Sequence, residues 1–436
     1  MHDAIVLGAG ASGLRAAADL ARAGLCGFVL DARDRIGGRI HTLHEPGLAL
    51  PIELGAEFIH GKAAAVFDLI DRAAGAAIDS GGERWALSGG RLERANRPFA
   101  AIAHAMRNDR ALSKKDLAFD EFLDEHLKDV LSPEARESAR MLAQGFDAAD
   151  TRRASARAIV EEWTGGASVG SSQFRPLGGY GALLAHLAGG LRGSGMRLQL
   201  NTEIRSIRWK RGEVEVRGLF HGRAFGVQAR RAIVALPLGV LQRSRPPGGV
   251  QFTPALAGKR AALKHLAAGP VLKVLLRFRH AFWEDVEDGR YRDGAFFHAR
   301  KKAFPTFWTA LPVRTPVVAA WAAGPKASAL AGADPAKVIA AALASFATLF
   351  PAIDVEGMLE SASFHDWQAD PYARGAYSYV LVNGDSARKD LAASLAGTLF
   401  FAGEAADCEG EAGTVAGALQ SGTRAARELL AAARRR

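Results

Sequence analysis

Apolar positions along this chain follow two rhythms. Ala4 to Leu7 is an unbroken apolar run stopped by Gly8, the pattern of a strand buried on both faces. An Ala/Leu stretch at helical spacing follows and ends near Gly24; a second apolar run, Gly27 to Leu30, is closed by Asp31. The opening therefore predicts strand, helix, strand. From Ala64 to about Gln173 the helical rhythm dominates, with charged faces such as FDEFLDEHLKDVL. Within it, SGGERWALSGGRLERANRP reads as a hairpin or a loop crossing between domains. FRPLGGYGALLAHLA predicts an amphipathic helix behind Gly178 and Gly179, and LQLNTEIRSIRWKRGEVEV alternates as a meander. RAIVALPLGVLQ ends in a strand running into Pro237, and the last part of the chain reads strand, glycine-rich turn, long helix. Helical runs broken by short β segments predict a mixed α/β or α+β architecture.

At 436 residues the chain is long for one core, so two or three folding units are expected. The 56 basic and 46 acidic residues leave a charge of +10, but arginine is scattered rather than gathered with aromatics on one element. No nucleic-acid partner is expected. Cys26 and Cys408 offer no disulfide framework, and His41 and His44 are joined by no third ligand, so no metal is expected. The opening has no basic leader and the chain no apolar run near 18 residues, which predicts no membrane partner and a cytoplasmic protein.

Chemistry concentrates at Gly8, Gly10 and Gly13, spaced G-x-G-x-x-G between the first strand and helix, with Asp31 eighteen residues beyond. Gly8 permits a tight turn, Gly10 lets the backbone approach a pyrophosphate, and Gly13 lets helix and strand pack closely. The first helical turn, at Ala11 and Ser12, offers unpaired N–H groups to phosphate. Asp31 suits ribose hydroxyls and would repel a 2′-phosphate, which argues against NADP. Gly37, Gly38 and Arg39 then supply another pyrophosphate contact.

Together with IELGAEFIHG, these residues resemble the flavin amine oxidase family. Its pattern of an acid followed by A-x-x-R-x-G-G-R and then L-G-[AG]-x-[FWY]-[IV] matches Asp31, Ala32, Arg35, Gly37, Gly38, Arg39, Leu54, Gly55, Ala56, Phe58 and Ile59. The family usually carries glutamate where this chain has Asp31. The resemblance extends through PLGVL, K-[VI]-x-[LF]-x-F with F-W at Lys273 to Trp283, AGE at Ala402 to Glu404, and WQADPYARGAYSY. It implies a discontinuous Rossmann-type FAD-binding domain (1–80, 174–252, 386–436) and a substrate domain of mixed sheet and helices (81–173, 253–385). FAD would be contacted by Gly8, Gly10, Ala11, Ser12, Gly13, Asp31, Ala32, Arg33, Gly38, Arg39 and the loop Gly55, Ala56, Glu57, Phe58. Further along, Ile204 would meet the adenine, Gly403 and Glu404 the ribityl chain, and Gly413, Thr414 and Val415 the edge of the isoalloxazine ring.

Three catalytic candidates follow from the same resemblance. Lys273, inside an apolar β-type run, would hold a water near flavin N5; the residues alone allow an edge-strand lysine. Of three clustered tyrosines, Tyr377 is assigned to an aromatic wall facing the flavin, Tyr372 to packing behind the Asp-Pro turn, and Tyr379 to core or solvent. His60, in GAEFIHG, stands equally between a substrate-facing and a structural role. Glu57, Glu161 and Glu162 are unranked candidates for a carboxylate that meets a cationic amine. Monoamine oxidases bind FAD through a cysteine at the position of Ala376, so FAD is expected to be non-covalent. Thr414 replaces their second tyrosine and widens the cleft. The expectation is an oxidase of a polyamine-like primary or secondary amine, with dioxygen as acceptor and hydrogen peroxide as product. An L-amino-acid oxidase and a flavin-retaining sensor without turnover are the rivals.

Overall fold

The computed structural model describes residues 1–95, 99–164 and 172–434. Its first sheet has eight strands. His2–Leu7 lies in the middle, parallel to Gly27–Leu30 on one side and to Arg223–Val234 on the other. Met196–Gln199 continues the parallel part beyond Gly27–Leu30, and Leu399–Phe401 pairs parallel with Arg223–Val234. The predicted meander is present: Thr202–Lys210, Glu213–Phe220 and Arg223–Val234 run antiparallel. Because His2–Leu7 has helices on one face and a second apolar layer on the other, its run from Ala4 to Leu7 is fully buried.

Helices Ala11–Arg22, Gly179–Gly189 and Val415–Arg434 cover one face of this sheet. The first and last meet backbone to backbone: a Cβ on Gly422 would stand 2.3 Å from the Ser12 carbonyl oxygen. The helix Gly179–Gly189 buries Tyr180, Leu183, Leu184 and Leu187, and its outward face is alanine and His186 rather than charge.

A second, seven-stranded sheet runs in the order Leu359–Asp366, Val271–Phe278, Val317–Ala323, Thr306–Thr309, Gly294–His298, Glu83–Ser88, Arg91–Arg94. Its last two strands form the hairpin read from sequence, turning at Gly89 and Gly90 with φ of +55° and +83°. Val271–Phe278 is an interior strand, paired on both edges, so Lys273 is no edge-strand lysine. Strand alternation divides its side chains. Leu272, Val274, Leu276 and Phe278 pack with Phe346 and Val338 of the helix Pro335–Ala347, while Lys273 and Leu275 face the loops of the first sheet. A helical layer between Ile102 and Trp163 closes the remaining side around Phe119, Phe122 and Leu123, and Tyr379 is buried in that core. Among the described residues no helix is long and apolar enough to cross a membrane.

Candidate active site

One cavity of about 1000 Å³ lies between the two sheets and the helical layer. The glycine loop forms one end. Gly8 has φ +105°, and a Cβ on Gly13 would sit 1.9 Å from the Gly8 carbonyl oxygen, so Gly13 is required by helix–strand packing rather than by ligand contact. Gly10 is the N-cap of Ala11–Arg22; no side chain caps that end and no acid lies in its first turn, which leaves its N–H groups available to an anion.

Asp31 lines the cavity at the end of its strand. Its Oδ2 accepts from Ala9 N–H at 2.8 Å and its Oδ1 from Arg33 N–H at 2.9 Å. Burial raises its carboxyl above the usual range, opposed by those two hydrogen bonds. The Asp31 carbonyl accepts from Thr202 N–H at 2.7 Å, which brings the strand carrying Ile204 to the same end. Arg33 reaches Asp370 at 2.6 Å and lies 5.5 Å from the Tyr372 ring, so Tyr372 also sits at this end.

Toward the middle, Arg39 donates to Glu404 Oε1 at 2.8 Å and to the Ala376 carbonyl. Glu404 Oε2 accepts from the Ser378 hydroxyl at 2.7 Å. Against the desolvation of burial, Arg39 and Arg388 hold the Glu404 carboxyl below its ordinary value. Gly403, at φ +128°, has nothing within 4 Å of where a Cβ would project. Thr414 takes the Gly417 N–H at 3.1 Å and so caps the helix that begins at Val415.

Lys273 is 1% exposed, and its Nζ lies 2.6 Å from Glu57 Oε2 and 3.3 Å from the Gly55 carbonyl oxygen. Glu57 also accepts from Arg175 Nε at 2.7 Å and from Trp308 Nε1 at 3.0 Å. Burial opposes its ionisation, but Lys273 and Arg175 outweigh that and bring its carboxyl down to about 2. The sequence reading groups Glu57 with the cofactor contacts. Here its carboxylate is committed to three protein partners, which leaves that loop's backbone to meet a cofactor.

Tyr377 stands opposite Gly413, whose added Cβ would lie 3.6 Å from the tyrosine ring, and it packs with Trp321 and Ala376. Its hydroxyl donates to the Phe146 carbonyl at 2.6 Å. Burial, reinforced by Asp147 and Glu162, pushes the phenol well above its ordinary pKa, so it stays neutral. The Phe146 ring meets His60 at 5.2 Å, and His60 Nδ1 lies 3.3 Å from Gln173 Nε2. Burial lowers His60 to about 4, so the imidazole carries no charge at neutral pH. Asp147 accepts from Trp163 Nε1 at 3.1 Å through Oδ2, while its buried Oδ1 has no hydrogen-bond partner among the described residues. Burial, and then Glu162, raise the Asp147 carboxyl well above its usual range.

Every site residue expected from sequence except Gly13 lines this one cavity, from Gly8, Gly10, Ala11, Ser12 and Asp31 to Lys273, Tyr377 and Thr414. Sequence reasoning missed Asp147, Arg175, Trp308 and Trp321. Arg175 carried the one available signal, a charged residue between apolar neighbours ahead of the glycine pair. Among the described residues no group of His, Cys, Asp and Glu could hold a metal ion.

The cradle fits a flavin dinucleotide: an uncapped helix end behind a loop of glycines, a buried acid for ribose, and a long cavity continuing to Lys273 and Tyr377. Fold and site thus define a Rossmann-type dinucleotide protein whose second sheet covers the far end of the cofactor cleft. The family model for flavin containing amine oxidoreductases matches residues 11–430, and the chain belongs to that family, whose cofactor is FAD. It is 26% identical to human (Homo sapiens) lysine-specific histone demethylase 2 over 98% of this chain and 53% of that protein. It is 27% identical to polyamine oxidase 4 of Oryza sativa subsp. japonica, over 97% of this chain and 88% of that one. The chain spans about half the length of the histone demethylases of Homo sapiens and Mus musculus that match it over 98% of its own residues. Among solved structures, wild-type putrescine oxidase bound to putrescine shares the fold at TM-score 0.79 and 22% identity, covering 99% of both chains. Cyclohexylamine oxidase from Brevibacterium oxydans IH-35A does so at TM-score 0.80 and 20% identity, covering 100% of both chains.

Proposed function

We propose that this protein is an FAD-dependent oxidase of a small amine bearing a second cationic centre, in the manner of a polyamine. The balanced reaction for a primary amine is R–CH2–NH2 + O2 + H2O → R–CHO + NH3 + H2O2. FAD, when bound, supplies the two-electron acceptor for the C–H bond next to nitrogen. The protein's residues then bind and orient. Tyr377 and Trp321 offer apolar faces to an amine, His60 stays neutral and so adds no repelling charge, and Lys273 places a cation at the cofactor end.

The observation that carries the reading is Asp147. Asp147 lines the cavity, and among the described residues its buried Oδ1 has no hydrogen-bond partner; an ammonium drawn to this acid would bring three donors. Likeness over the full chain to a polyamine oxidase supports the same substrate class. Likeness to lysine demethylases supports a second reading, in which the amine is an N-methylated lysine side chain of a peptide. FAD is held without a covalent bond, because Ala376 has no nucleophile to offer.

An anaerobic titration decides between them. Diamines and polyamines should bleach the yellow protein near 450 nm at lower concentration than monoamines, L-amino acids or methyl-lysine peptides. If no member of the panel bleaches it, the oxidase reading falls; if only the peptide does, the second reading replaces the first.

A further inference from the structure

Lys273 has a long side chain with four rotatable bonds, so what fixes its ammonium decides where its charge acts. Besides Glu57, it has the Gly55 carbonyl at a long 3.3 Å and the Trp308 ring 5.4 Å away. Among the described residues, Glu57 at 2.6 Å is the one short, charge-assisted contact. The carboxylate is itself anchored independently of the lysine. Arg175 grips it with Nε while its other nitrogens donate to the Leu311 and Thr309 carbonyls at 2.9 Å each, and Trp308 Nε1 donates to it from the strand Thr306–Thr309. The lysine therefore follows the carboxylate.

Glu57 also sits in the loop that meets the cofactor. A Cβ on neighbouring Gly55 would lie 1.9 Å from the Arg39 carbonyl oxygen, and the Arg39 side chain runs on to Glu404. The Glu57 carboxylate thus ties the cofactor loop to the strand of Lys273 and to Trp308. Two cations share one carboxylate, so the lysine's charge is held in place without being cancelled by the group as a whole.

We propose that Glu57 is the positioning residue of Lys273: it sets the ammonium's place at the cofactor face and does not itself contact FAD. The proposal rests on the flavin amine oxidase reading for what the lysine does. A buried ion pair with only a structural part would give the same contacts but would not act through Lys273, and that difference can be measured.

The experiment uses the holoprotein as wild type, Glu57→Gln, Lys273→Met and the double variant. FAD affinity is read by fluorescence. The bound flavin is then reduced anaerobically by light and EDTA, without any amine, and mixed with air-saturated buffer while absorbance at 450 nm recovers. Glu57→Gln should keep FAD within about threefold of wild-type affinity and slow recovery at least tenfold. Lys273→Met should slow it at least as much, and the double variant should be no slower than Lys273→Met alone. Loss of FAD from Glu57→Gln overturns the proposal, as do losses that multiply in the double variant or a Lys273→Met that recovers like wild type. Should Glu57→Gln fail to fold, Trp308→Phe removes one anchor of the carboxylate; it should slow recovery in the wild type and be silent beside Lys273→Met. Since no amine enters the measurement, a protein that no amine bleaches would refute the proposed function and leave this test standing.

Discussion

Tyr377 hydrogen-bonds the carbonyl of Phe146, 231 residues earlier in the chain, at 2.6 Å. That contact ties the aromatic wall to the residue preceding Asp147, so ring and carboxylate reach the cavity as one unit.

Tyr377→Phe keeps the ring and loses the bond, which costs about 1 kcal/mol of stability. It should raise KM several-fold with little change in kcat, because Asp147 loses its fixed neighbour. Tyr377→Ala removes the wall and should lower both kcat and kcat/KM. Steady-state kinetics with one diamine separates these outcomes; equal effects from both variants would refute the wall.

Asp147→Asn tests the cation site. A charged hydrogen bond contributes about 1.5–3 kcal/mol, so kcat/KM for a diamine should fall roughly 10- to 100-fold. For a monoamine of the same length it should change little. Equal losses on both substrates would remove Asp147 from recognition of the second cation.

Glu53 predicts a pH effect on stability. Burial raises its carboxyl to about 7, against hydrogen bonds from Thr42 and Tyr180, while Lys273 and Glu57 are the charges acting on it. A folded pKa above the unfolded one means the native state holds the extra proton, so stability declines as pH rises from about 4.5 to 7. Glu53→Gln abolishes that decline. Relative to wild type it should gain about 2–3 kcal/mol between pH 5 and pH 8 in urea unfolding. Glu57 acts oppositely: its depressed carboxyl stabilises above about 4.5, and that contribution is lost as pH falls toward 2.

Ala376 predicts release of the cofactor. Acid or urea denaturation followed by filtration should leave all yellow colour in the filtrate; flavin retained on the denatured chain would show a covalent attachment elsewhere.

Much of the site was legible because it depends on local backbone demands. Gly8 and Gly13 are dictated by a turn and a packing contact within one strand–helix unit, and Gly10 caps the helix while leaving its end open, so a chain with this turn must show them at that spacing. The tyrosine cluster divided only in three dimensions. Tyr379 went to the helical core, Tyr372 to the Arg33 end and Tyr377 to the wall, because the Asp-Pro turn and the short strand after it send neighbours to different layers.

What the sequence by itself determined is the order of motifs, and with it the family, the fold and the residues able to cradle a dinucleotide. Tertiary structure alone decided the charges. Glu57 meets Lys273 across 216 residues, and Phe146, beside Asp147, meets Tyr377 from another layer, so neither pairing has any expression in spacing or periodicity. A glycine's role is set by its own backbone, whereas a carboxylate's role is set by which partners burial brings to it.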